Sequence, residues 1–380
     1  MRPKSLCLLC CAVFLVLTGI PALAHLDNDE SIIEQLPATP TFSATTIPST
    51  NEDLNPYGVT FVPHGFRWGG LLDPGDILVS NFNDSGNIQG TGTTIVAITP
   101  AGEQSVFFQG PAGLGLTTAL GVLKRGFVLV GNVPTSPTDN PPGTCTTVNG
   151  VETGVEQGSL LILDRFGNLV MTLTSKKLLN GPWDLTIRED GDDAQVFVSN
   201  VLSGTVTRID LQISDHKRGN PIKVRNMTQI ASGYLHRCDP AALVVGPTGL
   251  AYDNDRDILY VASTGDNAIF AIRNARRTNK DNGMGKIVVN DQVHLHGPLG
   301  LVLASNGNLI TSQGDAVNPD PNQLSEIVEF TPRGQFVAEF SIDPVLGSAF
   351  GIAFHSFRDG FTLAAVDDTL SVLDVWVVHR

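Results

Sequence analysis

A short phrase recurs six times along this chain, and no other feature narrows its possible folds so far. The phrase is a Gly, Pro or Asn corner, an apolar or aromatic residue, a small residue, then an apolar strand. It reads NPYGVTF at 55–61, TTALGVL at 117–123, NGPWDLTI at 180–187, GPTGLAY at 246–252, GPLGLVL at 297–303 and SAFGIAF at 348–354. The marker residues Gly58, Gly121, Asp184, Gly249, Gly300 and Gly351 stand 63, 63, 65, 51 and 51 apart. Repetition on this scale marks a supersecondary unit that cannot bury its apolar face alone and must stack on its own copies.

Each phrase is followed by a turn and a second apolar strand, usually with a polar end. These strands are DILVSN at 76–81, FVLVGN at 127–132, VFVSN at 196–200, ILYVAS at 258–263, NLITSQ at 308–313 and FTLAAV at 361–366. A third strand with alternating apolar residues comes next, as in TIVAITPAG, and a shorter fourth follows, as in QSVFF. No long amphipathic run of helical period interrupts them, and 39 Gly with 23 Pro supply the turns. The pattern predicts an all-β chain folded as a six-bladed β-propeller of four-stranded antiparallel blades. The last unit, from 348 onward, has room for three strands, which would leave a sheet edge open. Residues 41–47 (TFSATTI) alternate well enough to supply the fourth. The ring is therefore predicted to close through an N-terminal strand. This places the propeller at 39–380, behind an acidic, flexible lead-in at 25–38.

The first 24 residues read as a secretory signal. Arg2 and Lys4 precede an uncharged apolar run from Leu6 to Leu17, and Ala22-Leu23-Ala24 precedes the expected cut before His25. No later stretch approaches the ~20 apolar residues of a membrane-spanning helix. A secreted or periplasmic protein is expected. Cys7, Cys10 and Cys11 leave with the signal, while Cys145 and Cys238 would meet an oxidising compartment, where a pair tends to close. The signal takes two of the 24 cations and none of the 38 acidic residues, so the mature charge becomes −16 (22 against 38). Such a surface repels phosphate backbones and anionic lipid, so neither nucleic acid nor membrane insertion is expected.

The corners Asn55 to Val59, Pro247 to Leu250 and Pro298 to Leu301 share the pattern P-x-G-[ILV], and ILYVASTGDNAIFAI at 258–272 is close to a blade signature. On these motifs nearly the whole mature chain resembles the NHL family of six-bladed propellers. It is also similar to their relatives, the SMP-30/gluconolactonase-like lactonases and the streptogramin lyase-like proteins. The resemblance implies a fold rather than a reaction, because these families include binding modules as well as enzymes. In the lactonases the residue before the corner glycine, with a carboxylate in the first blade, supplies Asn, Asp or Glu ligands to a metal. Here those positions read Tyr57, Leu120, Trp183, Thr248, Leu299 and Phe350, which offer a hard cation only a phenol and one hydroxyl. The lyase pattern, a corner histidine with a Glu after the next strand, occurs in none of the six units. Neither a metal nor a cofactor is expected.

Three corner aromatics, Tyr57, Trp183 and Phe350, would point toward the channel mouth, either holding a small apolar ligand or plugging the channel as core. A second ring at the strand ends comprises Asn81, Asn132, Asn200, Ser263, Gln313 and Val366. Its uncharged polar groups would suit a sugar or a peptide edge, and such residues also cap turns. His296, just before the fifth corner, is the candidate general base of a hydrolase or lyase, with Asn200 and Asn81 as its companions. The runs DNDRD at 253–257 and DGDD at 190–193 read as solvated turns. The first lacks the glycine and glutamate of a calcium loop. Cys145, in the long loop 133–157, and Cys238, between units three and four, should meet on one face as a disulfide. That face also carries the long loops 81–94 and 314–326. Elaborated loops on one side of a rigid ring suggest a recognition surface for a protein, glycan or small molecule. A binding module is expected, with a channel-mouth enzyme as its alternative.

Overall fold

The computed structural model describes residues 30–136, 141–149, 151–214, 221–313, 327–345 and 347–380. The segment read as a signal sequence, with its three cysteines, and the loop 314–326 lie outside these residues. From Ser31 to Arg380 the chain builds six four-stranded antiparallel sheets. The first comprises Leu54–Phe61, Ile77–Asn83, Thr94–Ile98 and Gln104–Gln109, in that spatial order. The innermost strands of the six sheets are Leu54–Phe61, Leu116–Leu123, Pro182–Asp190, Pro247–Asp253, Pro298–Leu303 and Ala349–Phe357. Each packs on the next, and the last returns to the first, closing a six-bladed β-propeller. No helix among the described residues is long and apolar enough to cross a membrane.

The core lies between blades. Second strands such as Ile77–Asn83 and Phe127–Asn132 are buried along their whole length, because a neighbouring blade covers each face. This explains why they read in the sequence as continuous apolar runs rather than alternations. Between the first and second blades, for instance, Leu78 and Ile95 meet Leu120, Val128 and Val130. Each fully buried side chain of this size contributes ~1.5–3 kcal/mol.

The repeated corner has a common geometry. Every inner strand carries a bulge there, at Pro56/Gly58, Leu116/Leu120, Pro182/Asp184, Pro247/Leu250, Pro298/Leu301 and Ala349/Ile352. The corner glycines are there for proximity: a β-carbon at Gly249, Gly300 or Gly351 would fall within 3.0 Å of the next blade's carbonyl at Leu299, Phe350 or Tyr57. Hydroxyl groups stitch the same seams. Ser80 Oγ accepts the Gly58 N–H and donates to Thr117 O of the next blade. Ser199 repeats this with Asp184 and Thr248, and Ser312 with Gly300 and Phe350. Thr118 and Thr248 donate to Trp183 O and Pro298 O in turn.

Two register positions differ from the sequence reading. The bulge of the second blade is one residue longer, so Leu120 stands opposite Val130 just as Val59 stands opposite Val79. The place equivalent to Tyr57 is therefore held by Thr118 and not by Leu120. In the sixth blade Asp367, opposite Ala349, takes the strand-end position equivalent to Asn200, opposite Pro182; Val366 is one residue short of it.

The ring closes through the N-terminal strand. Phe42–Thr45 pairs antiparallel with Val372–His379, with Phe42 opposite Val375 and Thr45 opposite Val372. The segment before it, read in the sequence as flexible, is docked from Ser31 onward. Ile32 and Ile33 are buried among Ile310, Ile327 and Trp376. Ser31 Oγ and the Ile33 N–H both donate to Glu329 Oε2, and Trp376 Nε1 donates to Pro37 O. Two small hairpins stand outside the blades, Thr146–Val148 with Val151–Thr153 and Arg237–Asp239 with Leu243–Val245. The Cys145–Cys238 disulfide joins them.

Candidate functional site

Among the described residues an aromatic plug separates a cavity at one end of the channel from a cavity at the other. Tyr57 stacks on Phe82 at 4.5 Å and on Phe350 at 4.4 Å between ring centroids, and Trp183 meets Tyr57 edge-on at 6.0 Å. The plug continues into Val133, Val201, Leu243 and Val244, and the Cys145–Cys238 bridge packs on it. The disulfided hairpins thereby sit directly on the central aromatics.

Above the plug, on the loop-rich face, lies a cavity of about 310 Å³. Tyr57, Trp183, Thr248, Leu299 and Phe350, five of the six corner positions, form its floor. Its walls come from Asn83, Asn87 and Gln89 of the first blade, Ala241, Ala242, Val244 and Val245 of the second hairpin, and Asp368 with Thr369 of the sixth blade. Gln89 Nε2 donates to Ala241 O at 3.3 Å, tying one wall to the other. Asn83 is 2 % exposed, and its Nδ2 donates to Asn87 Oδ1 at 2.7 Å. Its own Oδ1 and that of Asn55 are buried and accept no hydrogen bond. Burial, and then the charge of Asp368, push the Tyr57 phenol far above its ordinary range, so it stays protonated.

Below the plug a wider funnel of about 530 Å³ opens on the opposite face. The inner strands line it with equivalent residues, Val59, Leu120, Leu185, Leu250, Leu301 and Ile352. Asp184 breaks that symmetry, because a carboxylate stands where four other corners have glycine and the second has Ala119. Its oxygens accept the N–H of Leu185 at 2.7 Å and of Leu250, in the next blade, at 3.0 Å. Burial outweighs these bonds and raises its pKa to about 8, so the carboxyl is mostly protonated at neutral pH. At the rim the rings of His64 and His355 lie 5.3 Å apart, and burial followed by the His64 charge lowers the pKa of His355.

The sequence-derived candidates divide between floor and framework. Tyr57, Trp183 and Phe350 line the upper cavity. Asn81, Asn132, Asn200 and Gln313 line neither cavity and bond within the fold. Asn81 Nδ2 donates to Thr46 O, Asn132 Nδ2 to Ser159, and Asn200 Nδ2 to Thr205 and Thr207, while Gln313 Oε1 accepts the His296 N–H. His296 lies outside both cavities, its Nε2 3.0 Å from Val293 O. His294 stacks on Phe336 and pairs with Asp291 at 2.8 Å. In the run 253–257, Asp253 Oδ1 accepts the N–H groups of Asp255 and Arg256, as a turn does. Among the described residues no group of three or more His, Cys, Asp or Glu is placed to hold a metal. Sequence reasoning missed Asn55, Asn83 and Asp368, and it treated Asp184 only as a repeat marker. The departure from glycine at 184 was the one visible signal.

No family model matches the chain, and no curated protein does either. Among solved structures, the major allergen Mala s 1 of Malassezia sympodialis is similar at a TM-score of 0.50 and 11% identity, over 80% of this chain and 88% of that one. The calcium-binding protein regucalcin from Agrobacterium tumefaciens gives 0.49 at 12% identity, over 89% and 95% of the two chains. A gluconolactonase from Xanthomonas campestris gives 0.45 at 15% identity, over 90% and 97%. These likenesses concern the fold: the chain is a six-bladed β-propeller, with gluconolactonase-like propellers among its structural neighbours.

Proposed function

We propose that the protein is an exported binding module that holds a small ligand in the upper cavity and meets it with the surrounding loops. One observation carries the reading: two buried amide oxygens, of Asn55 and Asn83, stand without donors beside an aromatic floor. Buried acceptors normally find partners, and of the five that lack one among the described residues these two line the cavity, where a bound molecule can complete the set. The disulfide and the N-terminal signal-like sequence support export. A hydrolase or lyase at the channel mouth has less support. Its candidate base, His296, lies outside both cavities, and the corner floor of the upper cavity holds only a phenol and a hydroxyl as polar groups.

The test is Ala242→Arg, which places a long side chain into the cavity from a half-buried hairpin position. Ligands found by thermal-shift screening should lose at least tenfold in affinity. Retained affinity would remove the cavity from the binding function. Melting in calcium, zinc and EDTA separates the enzyme alternative. A metal at a hundredfold excess over its dissociation constant adds about 2.7 kcal/mol to stability. The midpoint is expected to stay unchanged, and a rise of several degrees with either metal would move the assignment to metal-dependent hydrolysis.

A further inference from the structure

We infer that the lower funnel is a second ligand site, built for a neutral carbonyl compound, a ketone or amide on a compact apolar body. It is separate from the upper cavity and is made by other residues. Its base already receives one carbonyl-bearing group. Asp184 reaches across a blade seam, and its two oxygens accept the N–H groups of Leu185 and Leu250. At the next two seams glycine takes the place of this aspartate. A β-carbon at Gly249 would stand 2.6 Å from the Leu301 nitrogen, and one at Gly300 would stand 3.2 Å from that of Ile352. The acceptor that the third blade carries in its own side chain is missing there, and both nitrogens lie where a ligand's acceptor can take its place.

The ladder aims these N–H groups at the channel. Ala304 N–H donates to Asn308 O, so hydrogen-bonded pairs recur at alternate positions, as at Val302 with Ile310. Leu301, opposite Thr311, falls between them and turns its N–H away from the partner strand, toward the axis. Ile352 stands at the same step after its corner, opposite Ala365. Both residues line the funnel, and the wall around them is the aliphatic ring from Val59 to Ile352. The other titratable groups of the lining gather nearer the mouth. Tyr252, His355 and Lys124 come after the aliphatic position of their blades, and His64 lies in the loop after Phe61. Burial holds the Asp184 carboxyl mostly protonated at neutral pH, and an ionised ligand group at the base would meet the same penalty. A neutral carbonyl oxygen takes donors and brings no charge. At about 530 Å³ the funnel has room for a body of one or two rings.

Calorimetric titration with camphor, bornylammonium and bornane-2-carboxylate tests the assignment, together with amide spectra of protein labelled with ¹⁵N-leucine and ¹⁵N-isoleucine. Camphor should bind at least tenfold more tightly than either ion, and the Leu301 and Ile352 amide protons should shift downfield. Its affinity should fall at least threefold between pH 7 and pH 9 as Asp184 ionises, and Asp184→Asn should flatten that slope. Thr186→Trp and Val302→Trp, each filling the funnel from a half-buried wall position, should abolish camphor binding with the fold retained by circular dichroism. Ala242→Arg, in the upper cavity, should leave it unchanged. An ion bound as tightly as camphor, unmoved Leu301 and Ile352 amides, an affinity independent of pH, indifference to both tryptophans, or no binding of any probe would overturn the site. Camphor binding lost in Ala242→Arg alone would also overturn the funnel site, and would leave the upper cavity standing as the ligand site.

Discussion

The two ends of the channel are made from the same six inner strands and finish differently. At the lower end each blade contributes an equivalent aliphatic residue, from Val59 to Ile352, and the funnel is a product of repetition. At the upper end the inner strands supply a largely aromatic floor and Asn55. Nonrepeating parts complete the cavity: Asn83 at the end of its strand with Gln89 in the loop that follows, the disulfided hairpin, and Asp368. Repetition makes a rigid tube, and the chemistry gathers where the repeat is broken. Asp184 fits the same rule, being the corner at which the lower end departs from its own pattern.

The comparison can be broken most severely at a seam that both ends share. Gly351→Val would drive a side chain into the Tyr57 carbonyl where the last blade meets the first. A loss of at least 4 kcal/mol, or failure to fold, is expected in denaturant titration. Full stability would mean that the blades slide apart easily and that close approach is not what keeps glycine there.

Removing the disulfide by replacing Cys145 and Cys238 with alanine should cost about 2–4 kcal/mol, the usual range for a disulfide. It should also weaken ligand binding at the upper end while leaving the pH response of the lower end as it was. A change in both would show that the ends are coupled through the plug.

That pH response belongs to Asp184. Its folded pKa of about 8 lies above the ordinary 3.8, so the folded state keeps a proton that the unfolded state releases. The resulting stability is complete below about pH 3.8, declines as pH rises and is gone above about 8. Asp184→Asn removes this slope but forfeits one of two accepted N–H bonds, about 1 kcal/mol at every pH. The variant should therefore melt below the wild type at pH 4.5 and close or reverse the gap by pH 8.5. Parallel melting curves would sink the assignment.

The smallest effect sharpens the comparison. Ala242→Arg, chosen to abolish upper-cavity binding, sits at a half-buried hairpin position and should change stability by no more than about 0.5 kcal/mol. A larger loss would show that the hairpin is part of the core rather than a wall.

The blades were legible in the sequence because a propeller repeats its turn chemistry at every corner, and phrases such as GPTGLAY and GPLGLVL carry both the corner and the strand. The disulfide and the closing strand followed from asking which loops share a face and which edge lacks a partner. Position 120 was misread because the extra residue in the second bulge lies between Leu116 and Leu120, where the Gly at 121 imitates a corner. The amides were harder for a physical reason. Asn81 and Asn83 are two residues apart, both buried, and their composition and spacing are alike. Only the three-dimensional course of the next loop makes one a bond to Thr46 and the other part of a cavity wall. The docked segment at Ser31 was missed because its anchor, Glu329, lies 298 residues away.

The closing strand also orders events in time. Phe42–Thr45 is synthesised long before Val372–His379, and Thr41 bonds Val377 across 336 residues. Until the C-terminal strand arrives, the sixth blade has neither its third strand nor its outer one, and the first blade lacks its neighbour. The ring can therefore lock only once Val372–His379 has been made. A chain that crossed a membrane in extended form would meet the same requirement on the far side, where these two strands would first come together.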